Sequence, residues 1–318
     1  MLQGAGSAAL RPTIRALLID LSGTVHVATQ PTPGSPDAIH RLRESSIPFR
    51  FCSNTSKEST AALRDKLARM GIETHDNEVW TSIGAVNSLL QAKGVQRCVH
   101  QTYHPGKRRR TQNRPLILAT ESAAAECRGD IRDDPALPYD SVVVAFAPSQ
   151  FDYVSLNTAF RVLMNEHDTQ RGRPRLDYPF IATHRSRYVG DSDGALSLGP
   201  GPFVAALENA SGRSAEIVGK PERKFFELVI SSLGSDVQDR KGVIAVVGDD
   251  IQSDLGGGAV ELGFWRVLGV WTRALTTMAA INGVQSGRES TGTEMRLRKV
   301  LDLPTKFMIP SPCSSRAY

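Results

Sequence analysis

Residues 17–25 read LLIDLSGTV. A short apolar run ends on Asp20, and a turn centred on Gly23-Thr24 follows. A run this short, closed by turn residues, predicts a strand buried on both faces. A carboxylate at the end of such a strand is costly unless something uses it. The stretch 242–250, GVIAVVGDD, repeats the pattern and ends in two acids.

The neighbouring sequence has a regular rhythm. ALLID (16–20) and PFRFCSN (48–54) read as strands, and PDAIHRLRES (36–45) reads as a helix. KESTAALRDKLARMG (57–71) is helical, with Leu63, Leu67 and Met70 on one side and a stop at Gly71. TSIGAVNSLLQAKG (81–94) reads as a further helix closing on Gly94. Strands alternating with helices predict a parallel sheet covered on both faces. Residues 95–197 break the rhythm. RPLILAT (114–120), YDSVVVAFAP (139–148), the helical FDYVSLNTAFRVLMNE (151–166) and PFIATH (179–184) stand among polar loop sequence, as in a second, smaller α/β unit. From Gly199 the first pattern resumes, with helices over 202–212 and 224–234 and strands over 215–220 and 242–250. The expected architecture is α/β: a doubly wound, Rossmann-like parallel-sheet core formed by 1–94 and 198–270, with an α/β unit inserted at 95–197. Residues 271–318 form an atypical tail with one helical pattern at 293–302.

Composition narrows the function classes. The 318 residues are 40% apolar, but no run of 18 apolar residues is long enough to span a membrane. The opening MLQGAGSAALRPTIR lacks the basic and apolar regions of a secretory signal; being acid-free and Arg-containing, it leaves organelle targeting open. Cys52, Cys98, Cys127 and Cys313 are widely spaced without a C-x-x-C pair, which fits a reducing, cytoplasmic setting. The net charge of +5 is local. Residues 97–114, RCVHQTYHPGKRRRTQNR, hold six basic side chains and no acid, and the rest of the chain carries −1. That segment reads as an extra, disordered loop. With only Tyr103 to offer stacking, a nucleic-acid partner is disfavoured.

Ligands of open parallel sheets bind beyond the carboxyl ends of the strands. Four expected strand ends carry Asp20; Ser53-Asn54-Thr55; Lys220; and Asp249-Asp250 with Asp254. Each has an ordinary reading as a cap, turn or loop residue. Together they supply the parts of phosphoryl transfer. A carboxylate can attack phosphorus, a hydroxyl and N–H groups can grip phosphoryl oxygens, a lysine can neutralise charge, and carboxylates can bind Mg²⁺.

IDLSGTVH, FCSNTSKES, VGKPE and VVGDDIQSD resemble, in order, the four motifs of the haloacid dehalogenase superfamily of phosphatases. The long stretch between the second and third motifs resembles its branch with a large α/β cap inserted there. IATHRSRYVGDSDGALSLGPGPFVAALE also resembles a subgroup of that branch. The resemblance implies Asp20 as the nucleophile that becomes aspartyl-phosphate. It implies Mg²⁺ held by Asp20, the Ser22 carbonyl and Asp249, with Asp254 orienting a metal-bound water and Asp250 a less direct contributor. Ser53, Asn54 and Ser22 would grip phosphate, and Lys220 would bind it and neutralise charge. It implies a small phosphorylated substrate, and it leaves homodimerisation through the cap open.

Most phosphatases of the superfamily carry Asp where this chain has Ser22, and that Asp protonates the leaving group. Serine keeps the carbonyl but removes the acid, a loss of ~10²–10⁴ in rate. The loss matters least for good leaving groups, which directs the expectation to phosphoramidates or pyrophosphate. His26, just beyond the turn, is a substitute acid on one reading and a packed loop histidine on the other. His184, Arg187 and Tyr188 read either as cap-rim residues near substrate or as surface residues. The alternatives to an enzyme are a catalytically weak phosphate-binding or regulatory protein on the same fold, and an interaction protein acting through its basic segment.

Overall fold

The computed structural model describes residues 12–93, 114–129, 134–172, 174–190 and 195–269. Positions 97–113 of the basic segment, the Gly94 helix stop and the helix expected at 293–302 lie outside them. The elements run β1 (Ile14–Asp20), β2 (His26–Val27), β3 (Gln30–Pro31), α1 (Ser35–Glu44), β4 (Phe49–Ser53), α2 (Thr60–Arg69), β5 (Val79–Thr81) and α3 (Ser82–Ala92). Next come β6 (Pro115–Leu118), α4 (Glu121–Arg128), β7 (Ser141–Val144), α5 (Tyr153–Leu163), β8 (Phe180–Ala182), β9 (Tyr188–Gly190), β10 (Leu196–Leu198) and α6 (Gly201–Ser211). The chain closes with β11 (Glu216–Ile217), α7 (Arg223–Ser231), α8 (Ser235–Gln238), β12 (Val243–Gly248), α9 (Gly258–Glu261) and β13 (Trp265–Leu268).

Two compact units form. One takes the described residues within Met1–Cys52, Leu67–Glu78 and Phe226–Tyr318; the other takes those within Ser53–Lys66 and Val79–Phe225. In the first, parallel strands follow the order β13-β12-β1-β4. β1 is central because Ala16 to Asp20 are all buried, as a strand covered on both faces requires. Leu18, Phe51, Leu67, Ile72, Phe226 and Leu255 are buried in this unit, and Phe226 meets Phe264 edge to face at 5.5 Å.

In the second unit four parallel strands follow the order β11-β8-β7-β6. Val142, Val144, Phe180 and Ala182 pack with Ala159 and Val162 of α5 and Val204 and Leu207 of α6. Arg114, counted with the basic segment in the sequence, is buried here. Its guanidinium lies 4.2 Å from the Tyr139 ring centroid and donates to the Leu137 carbonyl.

Local chemistry explains where elements begin. The helix expected from residue 57 starts at Thr60, because Ser59 caps it through the Ala62 N–H. α5 starts after Asp152, whose carboxylate accepts the Ser155 N–H. α4 had a readable signal, a Thr120 cap before an Ala-rich run ending at Gly129. The hairpins β2–β3 and β9–β10 are too short for an alternation pattern to show.

Candidate active site

The first unit's strand order reverses at β1, which has β12 on one side and β4 on the other. That reversal opens a crevice beyond the carboxyl ends, where ligands of such sheets bind. Asp20 ends β1, and Asp249 follows β12 directly. The carboxylates of Asp20, Asp249 and Asp254 each offer an oxygen, and these oxygens lie within 4.8 Å of one another. Asp20 and Asp254 are buried, whereas Asp249 is exposed.

Two glycines make room for this cluster. Gly23 has φ +93°, and a Cβ placed there would stand 2.1 Å from Asp249 Oδ2. A Cβ on Gly248 would stand 2.3 Å from the Asp254 Cβ. Only glycine allows either close approach. Asp250 serves the turn itself. Its Oδ1 accepts the Gln252 and Ser253 N–H groups at 2.7 and 2.9 Å, and its own N–H donates to Asp254 Oδ2 at 3.1 Å. Asp254 is thereby turned back toward the end of β12.

Ser22 is exposed in the turn after β1 and bridges to His26 through the backbone. His26 is buried, with Nδ1 3.1 Å from the Ala28 carbonyl. That bond makes Nδ1 the protonated nitrogen of a packed ring within the β2–β3 hairpin. Thr32 and Ser35 hold the same turn through the Val25 carbonyl.

The remaining predicted residues belong to the second unit. Ser53 is buried, and its Oγ accepts the Thr55 N–H at 3.1 Å. Lys220 is buried as well. The Asn54 side chain donates to the Lys220 carbonyl at 2.9 Å and accepts the Lys220 N–H at 2.8 Å. Gly219 permits this, since a Cβ there would stand 2.6 Å from Asn54 Oδ1. His184 is buried, whereas Arg187 and Tyr188 are exposed. Burial, reinforced by the Lys220 charge, lowers the His184 pKa to about 4.

Sequence reasoning passed over Ser56 and Glu126, and it read Gly23 and Gly248 only as turn and strand-end residues. The Glu126 carboxylate accepts the Thr60 N–H and hydroxyl at 2.5 and 2.8 Å, tying α4 to the start of α2. An exposed-looking acid within an Ala-rich run carries no signal for such a bond.

The three clustered carboxylates suit a hard divalent cation. Their oxygens are the ligand type that Mg²⁺ takes, and two buried acids beside a third repel one another unless a cation relieves them. A site lined by so few protein oxygens leaves positions for water, as Mg²⁺ prefers.

Residues 17–125 match the model of the haloacid dehalogenase-like hydrolase family. The human haloacid dehalogenase-like hydrolase domain-containing protein 2 is 35% identical over 255 residues, covering 80% of this chain and 83% of that protein. Human phospholysine phosphohistidine inorganic pyrophosphate phosphatase is 30% identical over 249 residues, covering 77% and 78%. Among solved structures, glycerol phosphate phosphatase from Mycobacterium tuberculosis in complex with magnesium superposes with TM-score 0.60 at 23% identity, over 85% of this chain and 72% of that one, a likeness of fold. The chain belongs to the haloacid dehalogenase-like hydrolases.

Proposed function

We propose that this chain is a Mg²⁺-dependent phosphohydrolase that acts on a small phosphorylated substrate through an aspartyl-phosphate on Asp20. The observation that carries the reading is the approach of the Asp20, Asp249 and Asp254 oxygens to within 4.8 Å at the strand-order reversal. Asp20 and Asp249, with the Ser22 carbonyl, would hold the cation, and Asp254 would steady a water bound to it. When bound, Mg²⁺ offsets the negative charge that accumulates on the phosphoryl oxygens.

An Asp20 carboxylate oxygen attacks phosphorus, and the bond to the leaving group breaks with its electron pair going to that group. The Ser53 hydroxyl, the Asn54 N–H and the Lys220 ammonium bind the phosphoryl oxygens. Water then attacks the aspartyl-phosphate, frees phosphate and restores Asp20. Ser22 brings no acidic proton to the leaving group, and the His26 Nδ1 proton is committed to the Ala28 carbonyl. These two features favour leaving groups that depart without protein help, such as those of phosphoramidates and pyrophosphate. The relative named for phospholysine, phosphohistidine and inorganic pyrophosphate supports that class.

The division into a core and a cap at 95–197, pairing through that cap and a cytoplasmic location belong to the same proposal. No described helix is long and apolar enough to cross a membrane.

The test is turnover of p-nitrophenyl phosphate with Mg²⁺. It is expected to vanish with EDTA and in Asp20→Asn. Ser22 favours one second reading, a catalytically weak phosphate-binding protein. Inorganic phosphate binding without turnover by the wild type would establish that reading instead.

A further inference from the structure

The segment Ser53 to Ser56 is held by the second unit's own sheet. In that parallel sheet β7, β8 and β11 are followed at their carboxyl ends by Phe146, His184 and Lys220 respectively. Each of these three residues bonds one member of the segment. Asn54 is paired with Lys220 through two hydrogen bonds, at 2.8 and 2.9 Å. Ser56 Oγ accepts the Phe146 N–H at 3.1 Å, and it lies 3.2 Å from His184 Nε2. The Ser82 hydroxyl adds a fourth tie, to the Thr55 carbonyl at 3.0 Å.

The hydrogen positions follow from the partners. His184 Nδ1 lies 2.9 Å from Ser186 Oγ and also faces the Ser186 N–H at 3.4 Å. A backbone N–H can only donate, so Nδ1 is the acceptor and the ring proton sits on Nε2. Nε2 therefore donates to Ser56 Oγ. Ser56 and His184 are both buried, so neither group can exchange this bond for one to bulk water. A neutral ring is also what the neighbouring Lys220 charge requires.

We propose that His184 is a positioning residue: its Nε2–H, through Ser56, fixes the segment that carries Ser53 and Asn54 against Lys220 and so sets the phosphate grip. The proposal rests on the phosphohydrolase reading for its kinetic consequences. Its structural consequence, restraint of residues 53–57, stands apart from turnover.

The experiment compares wild type with His184→Gln, His184→Asn, His184→Ala and Ser56→Ala. Three quantities are read: amide hydrogen exchange of residues 53–57, the inhibition constant of inorganic phosphate, and kcat and KM for p-nitrophenyl phosphate with Mg²⁺. Gln carries an N–H donor out to the Nε2 position, whereas Asn reaches only as far as Nδ1. Losing one buried hydrogen bond should speed local exchange and weaken phosphate inhibition by about tenfold in the Asn, Ala and Ser56→Ala variants. His184→Gln should recover most of both. The His184→Asn/Ser56→Ala double variant should be no worse than its worse single parent, because both remove the same bond.

Equal exchange in all variants, Gln behaving like Asn, or additive losses in the double variant would overturn the proposal. If His184→Ala does not fold, the Gln and Asn pair carries the comparison. Faster exchange in a protein whose wild type lacks turnover would keep the positioning role and end the phosphohydrolase reading. Wild-type turnover with unchanged exchange would do the reverse.

Discussion

Asn54 and Lys220 are joined by two hydrogen bonds from a single side chain, one to the carbonyl and one to the N–H of the same lysine. The Asn54 amide thus replaces a missing strand partner for the backbone of Lys220. A buried lysine backbone left without those bonds would face a desolvation cost.

Asn54→Ala removes both bonds at once. Two lost part-buried hydrogen bonds should cost about 1–3 kcal/mol of stability. Phosphate inhibition should weaken by at least about tenfold, since both residues belong to the proposed grip. Thermal melts and product-inhibition assays check this together, and a variant that matches wild type in both would refute the role given to the pair.

Gly23→Ala tests the carboxylate cluster. The positive φ costs a non-glycine residue about 1–2 kcal/mol, and the added Cβ meets the Asp249 carboxylate at 2.1 Å. Asp249 has to move, so the Mg²⁺ concentration for half-maximal activity should rise at least about tenfold, with a smaller change in KM for substrate. Gly248→Ala should disturb Asp254 in the same way. An unchanged Mg²⁺ requirement in both variants would contradict the proposed metal site.

Ser22→Asp restores a carboxyl group at an exposed position in the turn after β1. General acid help is worth ~10²–10⁴ in rate, and most of that gain should fall on poor leaving groups. The ratio of alkyl to aryl phosphate turnover is therefore expected to rise by about one to two orders of magnitude. An equal change in both rates would show that proton donation is not what the serine lacks.

One buried group and one half-buried group give opposing pH dependences. Burial and the Lys220 charge hold His184 at about 4, below its ordinary 6.5. From about pH 6.5 down to 4 the unfolded chain binds a proton that the native one does not, so this term loses stability as pH falls. Burial raises Asp140 from an ordinary 3.8 to about 6, against the Ser141 and backbone hydrogen bonds that lower it. Between 3.8 and 6 the native chain holds the extra proton, so this contribution is present at low pH and is lost as pH rises through 6. The two slopes offset each other in wild type. Asp140→Asn should raise stability above pH 6 by about 1–3 kcal/mol, have little effect below pH 4, and leave the His184 loss visible on acidification. Melts from pH 4 to 8 that run parallel for wild type and variant would show that Asp140 is not strained by burial.

The strand calculus of β1 and β12 was readable from sequence because burial on both faces forces an unbroken apolar run, and a polar residue at its end marks the sheet's carboxyl edge. The order of the acids, hydroxyl and lysine along the chain was readable for the same reason. What folding alone decided were the distances and the commitments. Asp250 reads in sequence as a less direct contributor than Asp249, and folding spends its carboxylate on two turn N–H groups. His26 reads in sequence as a substitute acid or a packed loop residue and His184 as a cap-rim or surface residue; folding ties the first to Ala28 and the second to Ser56 and Ser186. Periodicity reports which face of an element is buried. Hydrogen bonds between residues 128 or 166 positions apart depend on where separate strands end, and only the closed sheets set that.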